Sequence, residues 1–175
     1  MKVVLFDLGN TLEHQDDLLP GARETLQAIQ EMRDHSGEAV ALGLVSDFDM
    51  PDDPEQIPII RQRYYEILEG LSIRSFFEPV ANRVTLSSEV GVFKPDEKIF
   101  RAVIEKINED LHFGDVIFIT ENRGHVIEAR HLGMRAIHFQ GPGQNAGDVD
   151  RLVDVIPLVQ EFLGFRNNGG SRTRG

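Results

Sequence analysis

The chain has 175 residues, 41% of them hydrophobic and 27% charged, the ordinary balance of a soluble domain with room for a sizeable core. It contains no cysteine, which excludes disulfides and thiolate metal sites and fits a reducing compartment. A net charge of −11 weighs against nucleic acid as a partner, and no apolar run reaches the roughly 18 residues of a membrane span, so a cytoplasmic protein is expected.

Residues 2–6 (KVVLF) form a short apolar run that ends at Asp7 and predicts a central parallel strand. Pro20-Gly21 opens a helix carried by Leu26, Ile29 and Met32 and stopped by Ser36-Gly37. Residues 39–45 (AVALGLV) read as a second buried strand ending at Ser46, and the Asp- and Pro-rich stretch 47–58 reads as a loop. A helix over about 59–70 carries Ile60, Tyr64, Ile67 and Leu68 on one face, and residues 84–86 (VTL) suggest a short third strand. Pro95 is expected as the first residue of a helix, where its missing amide hydrogen would be unpaired anyway. That helix turns Ile99, Phe100, Val103, Ile104 and Ile107 inward. VIFIT (116–120) is the fourth strand, 122–132 a helix ending at Gly133, and RAIHF (135–139) the fifth strand; a Gly-rich loop and a helix over about 148–164 follow. Strands alternating with helices predict an α/β domain over residues 1–166, a parallel sheet covered on both faces. The closing residues 167–175, rich in Gly, Asn and Arg, read as a disordered tail.

In such a sheet, ligands bind beyond the carboxyl ends of the strands. Asp7, Ser46 and Glu121 fall at those ends and Lys94 at the start of a helix. A phosphoryl group needs an attacking oxygen, donors for its equatorial oxygens and a cation to offset charge. Asp7 could supply the first, Ser46 and Lys94 the donors, and Asp7 with Glu121 an all-oxygen magnesium site. Reaction through an aspartyl-phosphate is an established form of covalent catalysis. Each of the four also has a plainer reading, as turn residue, loop cap, solvated lysine or acidic helix start. Convergence on one pocket decides between the two.

These residues, in this order, resemble the haloacid dehalogenase-like hydrolase superfamily. FDLGNTL (6–12) resembles its first motif, LVSD (44–47) its second and SSEVGVFKPDEKIF (87–100) its third. IFITENRGHVIEARHLGMRAI (117–137) resembles the fourth motif and the strand that follows. The likeness runs from about residue 2 to 140. It implies a Rossmann-like, doubly wound sheet of about five parallel strands in the order 5-4-1-2-3, with helices on both faces. It further implies Asp7 as nucleophile, Ser46 and Lys94 on the phosphate, and Mg2+ held by Asp7, the backbone carbonyl of Gly9 and Glu121.

Gly9 stands where the family has its acid/base aspartate. Glu121 replaces the first acid of the fourth motif and Thr120 the glycine before it; His125 stands where a second acid is common but reads as a surface residue. His14, with Glu13, lies close enough in sequence to reach back as a substitute acid/base. General acid–base help is worth roughly 10²- to 10⁴-fold, so a slow magnesium-dependent phosphatase is expected. The alternative is a catalytically degenerate relative that binds a phosphorylated ligand or partner without turnover. A receiver-like signalling domain fits less well, since it wants an acidic pair after its first strand. The eight residues between Thr11 and Pro20 are too few for a cap domain, and the segment between Ser46 and Lys94 is largely used by core elements. No separate cap is expected. The open site suits a phosphorylated small molecule or macromolecule, or completion by a neighbouring subunit of a homo-oligomer.

Overall fold

The computed structural model describes residues 1–164. The tail expected at 167–175, and the last two residues of the expected domain, lie outside the described residues. Along the chain run β1 (Val3–Phe6), β2 (Glu13–His14), β3 (Asp17–Leu18), α1 (Ala22–Gln30), β4 (Ala41–Ser46), α2 (Ile57–Gly70) and α3 (Val80–Arg83). They are followed by β5 (Val84–Leu86), α4 (Ser87–Val90), α5 (Glu97–Ile107), β6 (Val116–Thr120), α6 (Arg123–His131), β7 (Arg135–His138) and α7 (Val155–Phe162).

Five strands make one parallel sheet in the order β5-β4-β1-β6-β7. Counted among the sheet strands alone this is 3-2-1-4-5, the expected order read from the other edge. Alternate side chains of a strand face opposite ways, and both sets are apolar here. Val4, Phe6, Leu44 and Ile119 join Leu26 and Ile29 of α1, Leu68 of α2 and Val159 of α7 on one face. Val3, Leu5, Val45 and Phe118 join Phe100 and Val103 of α5 and Val126 and Ala129 of α6 on the other. Phe100 meets Phe118 edge to face at 5.2 Å between ring centroids. Each fully buried side chain of this size contributes about 1.5–3 kcal/mol, which makes the middle of the sheet a rigid platform.

Register is what positions the site. Phe6 pairs with Leu44 on one side and with Ile119 on the other. The residues just beyond, Asp7, Ser46, Thr120 and Glu121, therefore leave the sheet at one edge. The Asp7 amide still donates to the Ile119 carbonyl at 3.0 Å, so the backbone of Asp7 is held by the ladder.

Boundaries differ from expectation where a polar side chain captures the backbone. Pro95 precedes helix α5 instead of opening it, because the Asp96 carboxylate accepts the Lys98 amide at 2.8 Å and so takes the N-cap place. Helix α1 stops at Gln30, and Asp34 then folds the chain by accepting from the Ser36 and Glu38 amides. Helix α7 begins seven residues later than expected: Asp148 is tied to the His138 amide and to Arg130, and a 3₁₀ turn at Leu152–Asp154 leads in. The β2–β3 hairpin, inserted between β1 and α1, had no signal in the hydrophobic pattern.

Candidate active site

At the carboxyl edge of the sheet a cavity of about 440 Å³ is lined by Asp7, Gly9, Ser46, Lys94 and Glu121, together with Glu13, Tyr64 and His125. All four residues singled out as chemical groups meet in it. Asp7, Ser46 and Lys94 are 7%, 3% and 6% exposed, so they form a floor instead of a solvated surface.

Asp7 sits at the centre of the contacts. Its Oδ1 accepts from the Leu8 amide at 2.9 Å and faces Lys94 Nζ at 2.6 Å. Its Oδ2 accepts from the Thr120 hydroxyl at 3.2 Å. Lys94 is fixed as well: its ammonium donates to the Val45 carbonyl at 3.0 Å, and its backbone amide donates to Asp47 Oδ1 at 2.8 Å. A buried ion pair held at both ends in this way keeps one geometry and leaves an ammonium proton for a third group.

Ser46 Oγ lies 2.6 Å from the Tyr64 hydroxyl. Burial pushes the Tyr64 phenol well above its ordinary value, against the opposing bond to Ser46, with the charges of Asp7 and Glu13 adding to the rise. The phenol therefore keeps its hydrogen, and either hydroxyl can donate to the other. With Tyr64 as donor, the Ser46 hydrogen is available to a ligand in the cavity.

Glu121 is held from two sides. Its Oε2 accepts from the Thr11 hydroxyl at 2.8 Å, and its amide donates to the same Thr11 oxygen at 3.1 Å. The Thr120 hydroxyl lies 3.2 Å from both Glu121 Oε2 and Asp7 Oδ2. The two carboxylates share this one donor, which sets them side by side at the cavity. Burial raises the Glu121 carboxyl above its ordinary value and the Asp7 charge raises it further, while Thr11 and Lys94 oppose. This strain between neighbouring anions is what a hard cation relieves. No group of three or more His, Asp or Glu side chains stands ready to hold an ion by itself among the described residues. Two carboxylates and a carbonyl at Gly9 would leave further positions to water and ligand oxygens, the usual habit of Mg2+.

The Gly-rich loop closes the wall behind Glu121. A Cβ on Gly141 would stand 2.8 Å from the Asn10 carbonyl oxygen and 2.9 Å from Glu121 Cβ, so only glycine lets the loop approach.

Two expectations change. His14 is not at the cavity: it lies half-buried in β2 with Nδ1 2.7 Å from Asn10 Oδ1, because the strand alternation that points Glu13 toward the cavity turns its neighbour the other way. His125 is not a surface residue. The Asn122 side chain caps α6 by accepting from the Gly124 and His125 amides, and this first turn brings His125 Nδ1 to 4.0 Å from Asp7 Oδ2. That nitrogen is buried with no hydrogen-bond partner. Burial and the Lys94 ammonium hold the imidazole below its ordinary value, against Asp7 and Asp47, so it is neutral near pH 7. Thr11, Tyr64 and Thr120 had no site role in the sequence reading. Thr11 belongs to a quoted motif, whereas Tyr64 read as a core residue, and nothing linear ties it to Ser46.

No family model matches the chain. Drimenol cyclase drtB of Aspergillus calidoustus is 38% identical over 58 residues, 33% of this chain and 11% of that protein. The chain thus spans a small part of the curated relative it matches. Among solved structures, an uncharacterized protein of Corynebacterium glutamicum superposes with a TM-score of 0.56 at 19% identity, covering 95% of this chain and 97% of that one. YfnB of Bacillus subtilis, assigned as a HAD hydrolase and solved with bound magnesium, gives 0.60 at 14% identity over 82% of this chain and 57% of its own. The core domain of a protein assigned as a phosphoglycolate phosphatase, from Streptococcus pneumoniae, gives 0.57 at 20% identity over 91% and 95%. The chain has the haloacid dehalogenase-like fold.

Proposed function

We propose that this protein hydrolyses phosphate monoesters through an aspartyl-phosphate on Asp7, in a site that takes Mg2+. The observation that carries the reading is the meeting of Asp7, Ser46, Lys94 and Glu121 in one cavity at the carboxyl edge of the sheet. Asp7 Oδ2 shares the Thr120 hydroxyl with Glu121 and would be the oxygen that helps hold the ion, which leaves Oδ1 to attack phosphorus. Asp7, Glu121 and the Gly9 carbonyl would hold the ion, which when bound supplies electrostatic stabilisation of the transferring phosphoryl group.

Lys94 and the Ser46 hydroxyl donate to the equatorial oxygens, where charge gathers in the transition state. The ester P–O bond breaks as the Oδ1–P bond forms. Water then attacks phosphorus, orthophosphate leaves, and the Asp7 carboxylate is restored. Thr11 and Thr120 orient the two carboxylates and carry no proton in this scheme. Only the β2–β3 hairpin lies between β1 and α1, and only a loop with a short 3₁₀ turn between β4 and α2. This supports a phosphorylated macromolecule as well as a small molecule as substrate.

A panel of aryl and alkyl phosphates, with and without Mg2+, tests this beside Asp7→Asn. The expected result is magnesium-dependent turnover that Asp7→Asn lowers by roughly 10³-fold or more. Titration calorimetry should show Mg2+ binding that Glu121→Gln weakens, a readout independent of turnover. The second reading, a protein that binds phosphorylated ligands without turnover, is favoured by Gly9, which leaves no acid/base on the family's position. Phosphate binding with no turnover of any ester would select it.

A further inference from the structure

Gly9 leaves a gap in the proton-transfer machinery, and the cavity wall beside it is occupied. An ideal Cβ built on Gly9 would meet one neighbour within 4 Å, Glu13 Oε1 at 3.7 Å. The carboxylate of Glu13 thus stands beside the space that a side chain at position 9 would enter. Glu13 lines the same cavity as Asp7.

Its position is built, not incidental. The Glu13 amide donates to the Leu8 carbonyl at 3.2 Å and its carbonyl accepts from the Asn10 amide at 2.7 Å, so the start of β2 is clamped to the loop that carries Asp7 and Gly9. Oε2 accepts from the Asp16 amide at 3.2 Å, which tethers the carboxylate to the hairpin turn. Oε1 accepts no hydrogen bond among the described residues, and no cation pairs with the group there. The other titratable groups at the cavity are placed differently. Asp47 Oδ1 takes the Lys94 amide and Asp16 is exposed near the hairpin tip. His125, whose Nδ1 has no hydrogen-bond partner, stands 4.0 Å from Oδ2 of Asp7, the oxygen not assigned to attack.

We infer that Glu13 is the general acid and base of this site, supplying from β2 the carboxylate that Gly9 lacks. This rests on the phosphatase reading above. In the first half-reaction the Glu13 carboxyl gives its proton to the leaving oxygen as the ester P–O bond breaks and the bond from Asp7 forms. In the second, its carboxylate takes a proton from the water that attacks phosphorus, the bond to Asp7 breaks, and orthophosphate departs. Glu13 ends protonated, as it began. General acid–base help of this kind is worth roughly 10²- to 10⁴-fold, and an alcohol leaving group needs it most.

The experiment is a rapid-mixing comparison of wild type and Glu13→Gln on p-nitrophenyl phosphate and on an alkyl phosphate, with Mg2+. An activated phenolate leaves without a proton, so Glu13→Gln should keep the wild-type burst of p-nitrophenol while its steady rate falls roughly 10²-fold. With the alkyl ester the first phase should fall as well. Adding Gly9→Asp to Glu13→Gln should restore most of the steady rate, because a side chain there meets only ordinary contact distances. Gly9→Asp alone should gain less than about tenfold, since the wild type already has its acid. His14→Gln should match wild type in both phases. Equal loss of burst and steady rate in Glu13→Gln, no change in either, or a large gain from Gly9→Asp alone would each overturn the Glu13 assignment while leaving the phosphatase reading intact. A wild type with no burst and no turnover on any ester overturns that reading, and the assignment with it.

Discussion

The floor and the rim of the cavity are built on different principles. Asp7, Ser46 and Lys94 are nearly sealed from water, and each has partners fixed by strand ends and helix starts. Gly9 lies in the loop after β1 and Glu13 and Asp16 on the two-residue-strand hairpin; all three carry more exposure, and neither carboxylate pairs with a cation among the described residues. The floor is preorganised: a phosphoryl group would meet donors that need not move, which is where electrostatic stabilisation is largest. The rim is adaptable, and a carboxylate can be supplied from one position or another of a short hairpin without disturbing the sheet. A site of this kind tolerates rebuilding of its proton transfer more readily than of its nucleophile.

Substitution at Lys94 should sharpen that contrast most. Lys94→Met leaves the Asp7 carboxylate buried without its ammonium, and breaking one side of a buried pair costs about 3–5 kcal/mol. Urea unfolding should show a loss of that order, against a change within about 0.5 kcal/mol for Glu13→Gln on the rim. Comparable losses at the two positions would erase the distinction. Tyr64→Phe should act on the floor more gently. It removes the bond that holds the Ser46 hydroxyl, so affinity for orthophosphate should fall several-fold and stability by about 1 kcal/mol. Unchanged orthophosphate affinity would show that Ser46 is oriented by something else.

The smallest effect expected is a pH dependence from His125. Its folded-state value lies below that of the unfolded chain, first because it is buried and then because Lys94 is near. The contribution to stability is therefore complete above the unfolded value, about 6.5, and is lost as pH falls through that value toward the folded one. Melting temperatures of wild type should drop from pH 7.5 to pH 5.5 by more than those of His125→Gln. Parallel curves would show that the imidazole takes up its proton freely in the folded state.

Much of the floor was legible in the sequence because its residues sit at places with a linear signature. Asp7 and Ser46 end apolar runs, Glu121 follows VIFIT, and Lys94 precedes Pro95-Asp96 at a helix start. Strand register then brings them together without further information. What stayed hidden depends on distance in space. Tyr64 reads as one more inward residue of α2, yet its hydroxyl meets Ser46 eighteen residues away. His125 reads as a surface histidine of a polar helix start, but the Asn122 cap sets the first turn of α6 so that His125 Nδ1 stands 4.0 Å from Asp7. On the rim, the sequence offered both Glu13 and His14 as substitutes for the side chain missing at Gly9. Only the two-residue alternation of β2, a strand too short to leave a hydrophobic pattern, separates them.

The most direct test of the nucleophile is acid quenching of a reaction with a 32P-labelled phosphate ester in the presence of Mg2+, followed by counting of the label retained on protein. Wild type should hold label that hydroxylamine releases, as an acyl phosphate requires, and Asp7→Asn should hold none. Turnover without retained label, or label undiminished in Asp7→Asn, would contradict covalent catalysis at Asp7.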